Sequence, residues 1–144
     1  MITQKKILLV EDNPDDELLA LKAFNNTGIP VQIDVVRSGE EALEYLFENP
    51  PSSSEDRLPD LIILDLNLPR VDGLDVLKEI KSEKTTQTIP VVIFTSSKNE
   101  DDIKVSYLLN VNSYIRKPVD FVKFREVAHL IGKYWLEVNE SPPP

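Results

Sequence analysis

The chain contains no cysteine and a single histidine, His129, among its 144 residues. Without cysteine there is no disulfide, no thiolate chemistry and no cysteine zinc site. One histidine is too few for a histidine-rich metal centre or a triad built elsewhere in the chain. No apolar run approaches the roughly 20 residues that a membrane-spanning helix needs. The start, Met1-Ile2-Thr3-Gln4-Lys5-Lys6, enters a strand-like run without the pattern of a signal peptide. Cations are also short, with 16 Lys and Arg against 25 Asp and Glu, a formal charge of −9 that repels phosphate backbones and disfavours direct nucleic-acid binding. These absences predict a cytoplasmic protein with no membrane contact. Hydrophobic residues at 41% and charged residues at 28% are ordinary for a globular domain, and the length suits one domain spanning 1–144 with no separate output domain.

What is present is a repeated strand-then-helix pattern. Leu61-Ile62-Ile63-Leu64 reads as a strand buried on both faces, and it ends on Asp65 before a loop containing Pro69 and Asp72-Gly73. Upstream, residues 6–10 form a similar strand ending on Glu11-Asp12. Asn13 then caps a helix with Pro14 in its first turn, and Asp15, Asp16 and Glu17 sit where the helix dipole favours negative charge. Leu18, Leu21 and Phe24, with Ala20, are expected as its apolar face. A second strand covers 31–36, and Ser38-Gly39-Glu40-Glu41 is a capping box before a stripe of Ala42, Leu43, Leu46 and Phe47. Residues 49–57, rich in Pro and Ser, read as a mobile surface loop rather than a domain boundary.

After Asp65 a helix is expected over 74–81, with Leu77 and Ile80 inward. A fourth strand over 91–94 ends on Thr95-Ser96-Ser97, and Ser97-Lys98-Asn99-Glu100 suggests a second capping box opening a helix that runs to Leu109. Ser113-Tyr114-Ile115-Arg116 is a fifth strand ending on Lys117-Pro118. The last helix starts near Asp120, with Phe121, Phe124, Ala128, Ile131 and Trp135 at inward spacing. The core therefore spans about 5–136, and the proline-rich tail 141–144 cannot extend the helix. Five such units predict an α/β fold, a doubly wound five-stranded parallel sheet of order 2-1-3-4-5 with helices on both faces.

In that topology strands one and three are neighbours at the switch point, so Glu11, Asp12 and Asp65 converge at the carboxyl edge. Crowded carboxylates are costly unless a cation neutralises them, and hard oxygen ligands suit Mg²⁺. Thr95 and Lys117 reach the same edge from strands four and five. A hydroxyl and a lysine opposite a carboxylate–Mg²⁺ cluster are what a transferring phosphoryl group needs, with Asp65 as the nucleophile. Each residue also has a plain structural use: Asp65 and Asp12 at helix or loop starts, Thr95 as a strand-end hydroxyl, Lys117 as a surface charge. Their joint fall at one edge favours the chemical reading.

These motifs, Leu-Leu-Val-Glu11-Asp12-Asn, Ile-Leu-Asp65-Leu-Asn-Leu-Pro69-x-x-Asp72-Gly73, Phe-Thr95-Ser96 and Tyr114-Ile-Arg-Lys117-Pro118, resemble the receiver domains of two-component response regulators over essentially the whole chain. The loop before strand three and the ending Tyr134-Trp135-Leu136-Glu137-Val138-Asn139-Glu140 are most similar to stand-alone receivers paired with cyanobacterial phytochrome-type histidine kinases. The resemblance implies a flavodoxin-like receiver fold in a phosphorelay, in which Asp65 accepts a phosphoryl group from a kinase phosphohistidine. It implies Mg²⁺ held by Asp12 directly, by Glu11 through water, by Asp65, and by the backbone carbonyl of Asn67. Lys117 would bind a phosphoryl oxygen across a cis Lys117-Pro118 bond, and Thr95 with Tyr114 would form the switch. Glu11 in place of the family's more usual Asp adds a methylene.

A haloacid-dehalogenase type of Mg²⁺ hydrolase also uses an aspartate after a buried strand, but wants a second acid where this chain has Asn67. A constitutive adaptor without phosphate would not need Asp12, Asp65, Thr95 and Lys117 together. The expected role is thus a signalling module, not an enzyme with its own substrate, working through an unidentified downstream protein. Val127, Leu130, Tyr134 and Val138 form a second apolar stripe on the last helix, and receivers similar to this one pair through that region. A homodimer is expected there. His129 is expected as a surface residue rather than a phosphodonor.

Overall fold

A computed structural model describes residues 4–48 and 57–143. The stretch expected as a surface loop lies outside the described residues except for Arg57, as does Pro144 of the tail. Five strands, β1 (Lys5–Val10), β2 (Val31–Val36), β3 (Leu61–Leu64), β4 (Val91–Thr95) and β5 (Ser113–Arg116), pair in parallel in the order β2-β1-β3-β4-β5. Five helices join and cover them: α1 (Pro14–Asn25), α2 (Gly39–Leu43), α3 (Gly73–Ser82), α4 (Glu100–Leu108) and α5 (Phe121–Lys133). π-helical turns extend α2 through Glu44–Glu48 and α5 through Tyr134–Val138.

The apolar runs work as two interleaved sets because successive strand side chains point to opposite faces. Leu8, Val10, Ile62, Leu64, Val91 and Ile93 meet Ala42, Leu46, Val76, Leu77 and Ile80 from α2, its π turn and α3. Ile7, Leu9, Leu61, Ile63, Val92 and Phe94 meet Ala20, Ala23 and Phe24 of α1 and Phe124, Ala128 and Ile131 of α5. The Phe94 and Phe124 rings stand 5.0 Å apart at 53°, a tilted pair that seats α5 and adds on the order of 1 kcal/mol beyond its buried area. With α1 on one face and α3 on the other, the crossovers part between β1 and β3, which opens a crevice at their carboxyl ends.

Several expectations change. Leu18 is 53% exposed, and the buried side of α1 is Ala20, Ala23 and Phe24. Leu18 is two residues from Ala20, about 200° around the helix, so both cannot face the sheet. Phe121 is 70% exposed: it opens α5, and side chains at a helix start lean toward the N-terminus, here past the end of the sheet. At α4 the cap is Asn99, whose side chain accepts from the Asp101 N–H, and the Ser97 hydroxyl is used elsewhere. Ser38 does cap α2, accepting from Glu41, but the Glu41 carboxylate returns to Arg37 instead of closing the box. Among the described residues no peptide bond is cis, so Lys117-Pro118 is trans rather than cis. Trans is the lower state of an X-Pro bond, and from it the lysine already reaches its carboxylate partners.

Candidate functional site

Four strand ends build the site. β1 runs straight into Glu11, whose N–H is tied to Val36 of β2, and β3 runs into Asp65, whose N–H donates to Val10. Ladder bonds therefore place both acids before any side-chain contact is made. Gly73 completes the acceptor end: a Cβ there would stand 2.5 Å from the Asp65 carbonyl oxygen and 2.6 Å from the Leu66 Cα, so only glycine lets α3 start this close. Asp72 caps that helix, its side chain accepting from the Leu74 and Asp75 N–H groups.

Lys117 arrives from β5, where its N–H donates to the Thr95 carbonyl at 2.7 Å. Its ammonium donates to Glu11 Oε1 at 2.6 Å, Asp16 Oδ2 at 2.8 Å and Asp65 Oδ2 at 2.9 Å. All three of its donors are used. Glu11, Asp12 and Asp65 offer carboxylate oxygens that all lie within 4.8 Å of one another. One lysine thus serves three carboxylates, with the exposed Asp12 beside two of them. A further cation, or a proton, relieves such crowding.

The titration of the groups records this crowding. Burial, joined by the charge of Asp65, outweighs Lys117 and pushes Glu11 up to about 7. Burial also raises Asp65, yet Lys117, the Asn67 amide and the Thr95 hydroxyl outweigh it and hold the carboxyl below its ordinary value. For Lys117 burial acts downward, and Asp65 and Glu11 reverse it, so the ammonium stays charged. A charged acceptor beside an acid that can be protonated or metal-bound results.

Asp65 is held at both oxygens, Oδ2 by Lys117 and Oδ1 by the Asn67 N–H at 3.1 Å. Thr95 is fully buried, and its Oγ1 accepts from the Ser97 N–H at 3.3 Å and from Asn67 Nδ2 at 3.4 Å. Tyr114 is half-buried against the core, with its hydroxyl donating to the Ser97 carbonyl at 3.0 Å. Every residue expected at this edge is there. Two contributions were missed: Asp16, read only as a dipole residue but placed by the first turn of α1 against Lys117, and the Asn67 side chain, which also reaches Ser96 Oγ. His129 lies away from the site, in a groove between α1 and α5 lined also by Leu21, Lys22, Val122, Arg125 and Leu130.

A flavodoxin-like sheet carrying clustered acids, a buried hydroxyl and a buried lysine at its carboxyl edge defines a phosphoryl-handling α/β signalling module. The chain belongs to the response regulator receiver domain family, which it matches over residues 7–129. It is 41% identical over 138 residues to the probable methanogenesis regulatory protein FilR2 of Methanothrix harundinacea, covering 96% of this chain and 88% of that one. It is 38% identical to response regulator Rcp1 of Synechocystis sp., covering 96% and 93%. Among solved structures, the phosphorylated cyanobacterial phytochrome response regulator RcpA is 44% identical with a TM-score of 0.91, covering 98% of this chain and all of that one. The Mn²⁺-bound form of Rcp1 has a TM-score of 0.89, covering 96% and 99%. The three oxygen donors here suit the same class of hard divalent cation, Mg²⁺ or Mn²⁺.

Proposed function

We propose that this chain is a single receiver domain, with its core over about 5–136, that accepts a phosphoryl group on Asp65 from the phosphohistidine of a phytochrome-type histidine kinase. The observation that carries this is the Lys117 ammonium bonded at once to Glu11, Asp16 and Asp65 beside the buried Thr95. An Asp65 oxygen attacks phosphorus as the P–N bond to the imidazole breaks, and the imidazole nitrogen keeps the electron pair. The carboxylate is already oriented by one donor on each oxygen, which removes much of the entropic cost of attack. Asp12, Asp65, Glu11 and the Asn67 carbonyl would hold Mg²⁺, which neutralises charge on the transferring oxygens. Lys117 then turns from Asp65 Oδ2 to a phosphoryl oxygen, and the Thr95 hydroxyl follows. Hydrolysis returns inorganic phosphate and the Asp65 carboxylate. Beyond this self-modification we assign no substrate, so the module signals rather than acts as an enzyme.

The kinase reading draws on the phytochrome regulator RcpA among the similar structures. Val119, Phe121 and Leu18 also stand exposed on segments that leave the site, giving an approaching donor an apolar rim. By this reading the domain works in the cytoplasm, as the partner of such a kinase; separately, no described helix is long and apolar enough to cross a membrane. A charge of −9 argues against nucleic acid and for a downstream protein partner. The test is incubation with an autophosphorylated phytochrome-type kinase and Mg²⁺. Label should leave the kinase and appear on this chain. Labelling by a small-molecule donor but never by the kinase would overturn the partner and leave the acceptor chemistry standing.

The same reading includes a homodimer through the outer stripe of α5. Leu130, Tyr134 and Val138 are exposed, with Tyr107 and Leu108 of α4 also outward, whereas Val127 is half-buried against the core and contributes only its edge. Sedimentation of the wild type at micromolar concentration should give a dimer, and Leu130→Asp/Tyr134→Asp a monomer. A wild type that stays monomeric with and without beryllofluoride, or a double variant that still pairs, would rule this face out.

A further inference from the structure

One residue, Ser97, stands between the acceptor site and Tyr114. Its N–H donates to Thr95 Oγ1, and its carbonyl accepts from the Tyr114 hydroxyl. Its own hydroxyl donates to Asp102 Oδ2 at 2.7 Å and accepts from the Asn99 N–H at 3.3 Å. Asp102 is in the first turn of α4, and its carbonyl takes the hydroxyl of the buried Ser106 at 2.6 Å, which anchors it from behind. The Ser97–Asp102 bond is charge-assisted, while the other hydrogen bonds described in this loop join neutral groups, so it is the strongest tie of the segment.

We propose that Asp102 is a positioning residue for the switch: by holding Ser97 it makes the β4–α4 loop move as one piece with α4 when the Thr95 hydroxyl is drawn toward a phosphoryl group. This rests on the Thr95 and Tyr114 roles given above and goes beyond them by naming the α4 group that transmits the motion. Thr95 can approach a phosphoryl oxygen only by stretching its bond from Ser97 N–H or by carrying Ser97 with it. With Asp102 in place Ser97 is carried, and its carbonyl takes the Tyr114 hydroxyl along. Without Asp102 the loop relaxes by itself and Tyr114 is left behind.

The experiment uses the full chain labelled with 3-fluorotyrosine, the Tyr114 signal assigned by Tyr114→Phe, and titration with beryllofluoride and Mg²⁺ followed by ¹⁹F NMR. Bound beryllofluoride is read in the same spectra. In the wild type the Tyr114 signal should shift on binding. In Asp102→Ala the shift should shrink by on the order of tenfold, the scale expected from losing a hydrogen bond to a charged group, while beryllofluoride still binds. Asp102→Asn, which still accepts from Ser97 but through a neutral bond, should restore part of it. Ser97→Ala should match Asp102→Ala, and the double variant should be no worse than either single one, as for two members of one contact. A full Tyr114 shift in both Asp102→Ala and Ser97→Ala overturns the inference, as does an Asp102→Asn variant as impaired as Asp102→Ala. A wild-type Tyr114 signal indifferent to bound beryllofluoride would instead overturn the switch reading on which it rests.

Discussion

Asp65→Asn is expected to abolish the phosphoryl adduct completely with the fold intact. The amide has nearly the shape of the carboxylate and can keep the Asn67 N–H on its oxygen, but it lacks the anionic oxygen that attacks phosphorus. The loss falls on a group that is 4% exposed and whose carboxyl lies below its ordinary value. A depressed carboxyl contributes stability above its unfolded pKa, and that contribution is lost as pH falls through the folded one. Near neutrality the variant therefore gives it up, a cost on the order of 1–2 kcal/mol, because Lys117 retains Glu11 and Asp16. Divalent-cation affinity should fall by on the order of tenfold, since ligand charge sets the affinity of oxygen sites. Intact-mass measurement after treatment with a small phosphodonor, with and without Mg²⁺, checks the first point. An adduct persisting in the variant would place the acceptor elsewhere.

How far the chain could be read without coordinates depends on what fixes each feature. Runs such as Leu61–Leu64 are buried on both faces, and a strand that must be apolar on both sides is visible one residue at a time. The strand-end residues followed directly, because the residue after a buried strand in a doubly wound sheet has one place to go. Helix faces were less legible. Periodicity shows that α1 and α5 are amphipathic, but whether Leu18 or Phe121 lies over the sheet depends on where the sheet stops. Ser97 illustrates the other limit. Its position three residues before Glu100 suits a capping box, yet Asn99 offers the nearer cap and Asp102 a charged acceptor, and only the loop's path decides between them. Asp16 was hidden for the same reason: local sequence explains an acid at a helix start so well that its contact with Lys117, 101 residues away, leaves no trace.

Lys117→Ala should expose how much the site depends on one cation. Removing it leaves Glu11 and Asp65, 3% and 4% exposed, with no positive partner among the described residues, and breaking a buried pair from one side costs roughly 3–5 kcal/mol. The variant also loses the influence that lowers Glu11, so that carboxyl should rise above the wild-type value of about 7, against 4.5 for an unperturbed one. A group whose folded pKa is raised binds more protons in the folded state. Its contribution is full below the unfolded value and lost as pH rises through the folded one. The deficit against wild type should therefore be small near pH 5 and widen toward pH 8. Mg²⁺ binds the folded acids and not the unfolded chain, so it should recover up to about 2.7 kcal/mol at a hundred times its dissociation constant. Phosphorylation with Mg²⁺ should persist, while the Tyr114 response fails, because the lysine is the link from phosphoryl oxygen to β5. Urea denaturation at three pH values, with and without Mg²⁺, measures the stability, and the tyrosine spectra measure the switch. A deficit indifferent to both pH and Mg²⁺, or a normal Tyr114 response, would mean that Lys117 is not the charge on which this edge is balanced.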